Sequence, residues 1–324
     1  MNISQKTVWM PAAVMTVMLV TLGIAQGPPM RHHTANKKRE LRLVGANQRL
    51  PYKNRVSVTQ DAEYRIIRVN SIPKHKVGRF PNRGNPNAIK ERVATFRVPL
   101  NPEPNARPRP LRLGINFGIG VNGVLFDPGA AEFWQGDRRR GWQYEALGGA
   151  VALGLDENYA HVQPDGKYHY HGLPTGLLKT LRFNRQQHSP LVGWAADGFP
   201  IYALNGYSQP NDNSSEIAEL QPSYRLIKGQ RPGTVRDTQT GPGGVYDGTF
   251  VNDYEFVEGL GDLDKCNGRF CVTPEYPNGT YAYFLTRHWP SIPRMLRGTA
   301  DASFQNRRGR PRGPGFRPPP RRRR

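Results

Sequence analysis

Three histidines fall within the eleven residues His161-Val162-Gln163-Pro164-Asp165-Gly166-Lys167-Tyr168-His169-Tyr170-His171. Neutral imidazole is a common ligand for zinc and copper, provided several rings converge on one point. Pro164-Asp165-Gly166 between two β-prone runs predicts a three-residue hairpin loop, a type I turn followed by glycine in the left-handed conformation. That loop sets Gln163 opposite Lys167, hence His161 opposite His169, with His171 two residues further along. Alternation then places the three imidazoles on one face and Tyr168 and Tyr170 on the other. Opposed Cβ atoms about 5 Å apart, with the next same-face residue about 7 Å along, suit rings converging on one cation. A two-residue loop on Asp165-Gly166 would instead carry His161 to the tyrosine face and leave a histidine pair. The competing reading is three half-buried strand residues satisfied by backbone carbonyls.

A second stretch serves as a control. Tyr276-Pro277-Asn278-Gly279-Thr280-Tyr281-Ala282-Tyr283-Phe284 repeats the turn and the alternating tyrosines, with Ala282 and Phe284 in the places of His169 and His171. The tyrosine face recurs and reads as packing. The histidine face does not recur, which favours a role beyond packing. His188, in His188-Ser189-Pro190, and Asp197, in Ala196-Asp197-Gly198-Phe199-Pro200, are candidates to complete the shell or orient a ligating ring. Asp197 reads equally well as a turn aspartate. Asp262 and Asp264 lack the oxygen count of a calcium loop.

The elements that must position these residues are mostly strands. Short runs at 64–70, 93–99, 158–163, 167–171, 191–195, 199–204, 223–227, 249–257 and 280–285 are separated by turn residues, and 111–117 and 121–126 read as a hairpin. That spacing predicts a mostly-β domain over residues 61–300, a sandwich or barrel-like core of short antiparallel strands and hairpins with one to three short helices. The helical candidates are 130–147, Thr175–Leu181 and Ser214–Leu220. With 35 glycines and 30 prolines in 324 residues, a helical bundle is excluded.

The formal charge of +21 suggests a nucleic-acid binder until it is divided along the chain. Residues 113–300 hold 16 basic and 19 acidic residues, so the basicity sits in the flanks. Residues 26–60 read as a basic linker. The 301–324 tail, with nine arginines from Arg307 onward, reads as disordered and polycationic. Such a tail suits an anionic surface, polysaccharide or lipid headgroups, or serves only as a solvated end. At the other terminus, Lys6 precedes an apolar run from Val8 to about Ala25, which closes on the small residues Gly23 and Ala25 before Gln26. Residues 1–25 therefore read as a secretory signal peptide, which places the protein outside the cytoplasm: secreted, periplasmic or on the cell surface. A retained N-terminal membrane anchor is the alternative, and no later run is apolar enough to span a bilayer. Export and an acidic body both count against nucleic acid as a partner. In an oxidising compartment, Cys266 and Cys271, which flank Asn267-Gly268-Arg269-Phe270, are expected to form a local disulfide, with thiolate metal ligation as the alternative.

Tyr168-His169-Tyr170-His171-Gly172, with His161-Val162-Gln163-Pro164 before it, resembles the YHYH domain family of exported bacterial proteins. The resemblance continues through His188-Ser189-Pro190-Leu191-Val192-Gly193, Ala195-Ala196-Asp197-Gly198-Phe199-Pro200-Ile201-Tyr202, Tyr246-Asp247-Gly248-Thr249-Phe250 and Gly259 to Arg269, and spans roughly residues 111–297. It implies the domain limits and export, and no reaction. Some members of the family carry a second Tyr-His-Tyr-His where this chain has Tyr281-Ala282-Tyr283-Phe284, so a two-hairpin site is not implied here.

Two functions follow as expectations. The first is an extracytoplasmic metal-binding protein with zinc or copper on His161, His169 and His171, and His188 or Asp197 completing the shell. With zinc and an open position, hydrolysis becomes possible; with copper, redox or sequestration work. No zincin helix, nucleophile elbow or glycine-rich phosphate loop is present, so no nucleotide cofactor is expected. The second is a non-catalytic cell-surface adhesion or glycan-binding module that presents Trp134, Trp142, Trp194 and Tyr207, with structural histidines.

Overall fold

Alternating apolar residues and turn punctuation produce two main sheets and three two-stranded ribbons in a computed structural model, which describes residues 37–233 and 240–305. Val56–Gln60 (β1), Tyr64–Val69 (β2) and Ala94–Pro99 (β3) form a three-stranded antiparallel sheet. The second sheet has eight strands: Gly118–Gly120 (β4), Leu125–Phe126 (β5), Ala160–Val162 (β6), Tyr168–Tyr170 (β7), Gly193–Ala195 (β8), Pro200–Ala203 (β9), Gly268–Thr273 (β10) and Tyr276–Leu285 (β11). Its order is β10-β11-β9-β8-β4-β5-β7-β6, so it is an open sheet and not a closed barrel. The one α-helix of the described residues, Thr175–Thr180 (α1), lies where the sequence predicts it.

Each face of the large sheet has its own cover. Phe126, Tyr168, Tyr170, Ile201, Tyr281 and Tyr283 belong to the main core, all essentially inaccessible to water. On the opposite face, Ile119, Leu125 and Trp194 meet Ile67, Val69, Phe96 and Val98 of the small sheet, with Phe304 closing the layer. The centre of the molecule is therefore a two-sheet sandwich. Burying one such side chain contributes about 1.5–3 kcal/mol.

The large sheet is a duplication. Read from either edge, its order is an outer hairpin, a strand parallel to that hairpin's inner strand, and then that strand's hairpin partner. The two halves meet where Ile119 lies opposite Trp194, with Val121 N donating to the Val192 carbonyl at 2.9 Å and Ala196 N to Phe117 at 2.8 Å. Gly118 and Gly193 hold equivalent places at this seam, and a Cβ on Gly193 would stand 2.2 Å from the Ile119 carbonyl oxygen. Only glycine allows that approach. Further out, Asp156 N donates to Ala160 at 2.9 Å and Asp264 N to Gly268 at 2.8 Å, while Tyr159 and Asn267 share a left-handed backbone at φ 52° and 56°. Tyr168 donates to Asp156 at 2.7 Å, as Tyr281 does to Asp264 at 2.9 Å. The alternating tyrosines visible in sequence are one line of a longer repeat.

Several expectations change. The 130–147 stretch holds only two 3-10 turns, Trp134–Gly136 and Arg138–Arg140, because Gln135, Gly136 and Gly141 all take positive φ. Ser214–Leu220 is not helical: Ser214 bonds back to Asp212, and Ile217–Glu219 pairs with Asn205–Tyr207. From residue 37 onward the supposed 26–60 linker is packed, with Leu41 and Leu43 against the Trp134–Tyr144–Phe250 cluster and Val44 N bonded to Leu155 at 2.9 Å. Cys266 and Cys271 are both buried free thiols, not a disulfide. The reason is topological: Cys266 packs with Tyr281 and Tyr283 in the main core, whereas Cys271 packs with Ala282 and Phe284 on the other face of the sheet. The signal-peptide segment 1–25 and the tail beyond residue 305 lie outside the described residues.

Candidate metal centre

The β6–β7 hairpin has the three-residue loop. Gln163 N donates to Lys167 at 2.9 Å, Gly166 N donates to Gln163 at 2.8 Å, and Gly166 takes φ 93°. His161 therefore pairs with His169, Ala160 with Tyr170 and Val162 with Tyr168. All three imidazoles emerge on one face. Nε2 of His171 stands 3.0 Å from Nε2 of His161 and 3.0 Å from Nε2 of His169. Two nitrogens bound to one tetrahedral zinc at about 2.05 Å lie about 3.3 Å apart, so these two separations are within a few tenths of an ångström of that spacing, and all three ligand atoms lie within 4.8 Å of one another.

Proton positions follow from the partners on the far side of two rings. His161 Nδ1 lies 2.9 Å from the Leu153 carbonyl and His169 Nδ1 lies 3.3 Å from that of Lys167. A carbonyl only accepts, so both Nδ1 atoms carry the proton and both Nε2 atoms turn a lone pair toward the centre. His171 Nδ1 is buried without a partner of hydrogen-bonding geometry. Burial depresses the basicity of all three rings. The imidazole of His161 falls to about 4, while His169 and His171 fall well below the usual histidine value, by desolvation first and mutual repulsion next. The cluster is neutral at pH 7, the state a cation requires. His169 and His171 are fully buried and His161, on the edge strand, is half-buried.

The opposite face is structural. Tyr170 is bonded by Asn122 Nδ2 at 2.9 Å and lies 2.6 Å from His75 Nε2; the Asp156 carboxylate accepts from Tyr168 and from Gly78 N at 2.8 Å. The corresponding half has the same tyrosine face, but Arg269, Ala282 and Phe284 stand where His161, His169 and His171 stand here. Phe284 and Ala282 fill that space with Tyr202 and Leu220. Packing alone is satisfied without histidine.

His188 and Asp197 do not join the cluster; only His161, His169 and His171 converge among the described residues. His188 packs against Tyr202, Tyr207 and Phe284, with Nδ1 2.8 Å from the Ser189 carbonyl. Asp197 is buried under the other half, accepting from Tyr283 Oη at 2.5 Å and Gly298 N at 2.8 Å. Trp134 and Trp194 are core residues, and Trp142 and Tyr207 are half-buried.

Asp127 was not singled out by sequence reasoning. It follows β5 directly, and burial lifts its carboxyl to about 6 against the pull of Gly129 N, Arg294 and Lys167. Arg294 is tied to Glu145 at 2.6 Å, and Glu145 also accepts from Trp289 Nε1 at 2.8 Å. The available signal was the internal repeat, which aligns Leu125-Phe126-Asp127 with Pro200-Ile201-Tyr202.

No helix of the described residues is long and apolar enough to cross a membrane. No curated protein and no solved structure matches the chain. The family model described as YHYH protein matches residues 95–298, a span that takes in both halves of the duplicated sheet and all three clustered histidines. The chain thus belongs to the YHYH family.

Proposed function

We propose that this is an extracytoplasmic metal-binding protein whose zinc or copper ion is held by His161, His169 and His171. The observation that carries the reading is the convergence of three neutral imidazoles, with His171 Nε2 3.0 Å from Nε2 of each of the other two and two Nδ1 protons directed at carbonyls. The bare lone pairs of His161 and His169 both face His171 Nε2; a divalent cation in place of the single proton that nitrogen can offer would engage all three rings at once. Three protein ligands leave the fourth position of a tetrahedral shell to solvent or substrate, the arrangement of catalytic zinc sites. The same imidazole set suits copper. Export rests on the Val8–Ala25 run and the family resemblance, and the arginine-rich tail is the part suited to an anionic envelope surface.

Elemental analysis of the mature chain, purified without a histidine tag or chelator, tests the reading beside a His169→Ala, His171→Ala double variant. Near-stoichiometric zinc or copper in the native protein and none in the folded variant is the expected result. Absence of metal from both, after exposure to either ion, overturns it.

A further inference from the structure

We propose that Asp127 is a positioning residue of this centre: its carboxylate accepts a hydrogen bond from the solvent molecule that completes the shell of the three imidazoles. The inference rests on the metal reading above and adds the residue that governs the open position.

Strand register places Asp127 there. β5 runs parallel to β7, with Leu125 beside His169 and Phe126 beside Tyr170, and Asp127 N donates to the Tyr170 carbonyl at 2.9 Å. The next residue pair along is Asp127 and His171. Lateral neighbours in a sheet share a face, as the Phe126 and Tyr170 rings do at 5.4 Å on the tyrosine side, so Asp127 falls on the imidazole side. Its oxygens are nevertheless not among the converging ligand atoms. A carboxylate that adjoins the tripod without joining it is placed to act through one intervening solvent molecule.

The duplicated half supplies an independent observation. There the equivalent of Asp127 is Tyr202, paired with Phe284 across the parallel strands. Where Arg269, Ala282 and Phe284 replace the imidazoles, a bulky aromatic replaces the carboxylate, and the Tyr202 and Phe284 rings pack at 5.8 Å, tilted by 32°. At these equivalent strand positions, carboxylate and imidazoles are present together in one half and absent together in the other.

Cobalt(II) substitution gives the test, because its visible spectrum reports ligand geometry and follows deprotonation of bound solvent. Native protein, Asp127→Asn and Asp127→Glu would each be loaded with cobalt and titrated with pH, with folding checked by circular dichroism. Asp127→Asn is expected to keep one cobalt per chain, bind it about 10–100-fold more weakly, and move the spectral pH midpoint by about one unit or more; Asp127→Glu should recover part of the shift. An unchanged midpoint and affinity in Asp127→Asn overturn the proposal while leaving the metal reading intact. A folded Asp127→Asn that holds no cobalt overturns it in favour of direct ligation. Native protein that takes up no cobalt, zinc or copper removes the metal reading and this inference with it. If Asp127→Asn does not fold, Asp127→Ser is put through the same titration, with the same outcomes.

Discussion

Asn122 and Asp197 occupy the same place in the two halves of the sheet. Each reaches the hydroxyl of the second tyrosine of its half, Asn122 to Tyr170 at 2.9 Å and Asp197 to Tyr283 at 2.5 Å. One is an amide and the other a carboxylate, but both pin a buried phenol beneath the sheet. Asp197 is thus the counterpart of a structural asparagine, which accounts for its absence from the histidine cluster.

The first prediction separates these roles. Asp197→Ala leaves the Tyr283 hydroxyl and Gly298 N without their acceptor, and is expected to cost about 2–4 kcal/mol of stability. Asp197→Asn, which copies the other half, should cost less. Neither should change metal content. Chemical denaturation beside elemental analysis checks both statements, and metal loss in a folded Asp197→Asn would restore a ligand role for that residue.

His161 is the ligand that depends on hairpin register. Its removal as His161→Ala leaves two imidazoles and is expected to weaken zinc binding by more than about 100-fold, the upper end of what outer-shell changes produce. His188→Ala, which alters a ring packed against Tyr202 and Phe284, should leave zinc affinity within about threefold of native while lowering the melting temperature. Competition with a chromophoric chelator reads both.

Acid should act on the metal-free protein in a stated direction. His161 is depressed in the fold to about 4, whereas an unfolded histidine takes a proton near 6.5. The unfolded chain therefore binds more protons between those values, and stability rises with pH across the window. The His161 contribution is fully present above about 6.5 and lost as pH falls to about 4, up to about 3 kcal/mol, with His169 and His171 adding in the same sense. Metal release should accordingly need more acid than an ordinary histidine site. Denaturant midpoints from pH 4 to 7 give the test; a flat profile for the metal-free chain contradicts the burial that depresses these rings.

Both cysteines should titrate as thiols in unfolded protein that has never met a reductant. Burial pushes the Cys266 thiol up to about 12, so neither reacts readily in the folded state. Two thiols on denaturation and a melting temperature unmoved by reductant are expected. A mass gain of two hydrogens on reduction would show a disulfide instead.

The seam of the duplication gives a test of the fold itself. Gly193→Ala would press a methyl group against the Ile119 carbonyl, and is expected to destabilise by more than about 3 kcal/mol. Gly45→Ala, where a Cβ meets nothing within 4 Å, should change stability by less than about 0.5 kcal/mol.

The sequence by itself determined the hairpin. Pro164-Asp165-Gly166 chose the loop, the loop chose the register, and period-two alternation divided histidines from tyrosines, all through contacts a few residues long. It also determined the mostly-β class and α1, because those signals are local as well. Only the tertiary structure decided that Asp127 bonds to the Tyr170 carbonyl, next to His171 in the chain, that Asp197 and His188 belong to the other half, and that Cys266 and Cys271 face away from each other. Each depends on which strands become neighbours. β5 pairs with β7, and β9 with β11, as parallel strands joined by long connections, and no local turn encodes such a pairing. A repeat at the level of the whole sheet was the trace that long-range pairing left in the chain, and only its tyrosines were legible without the fold.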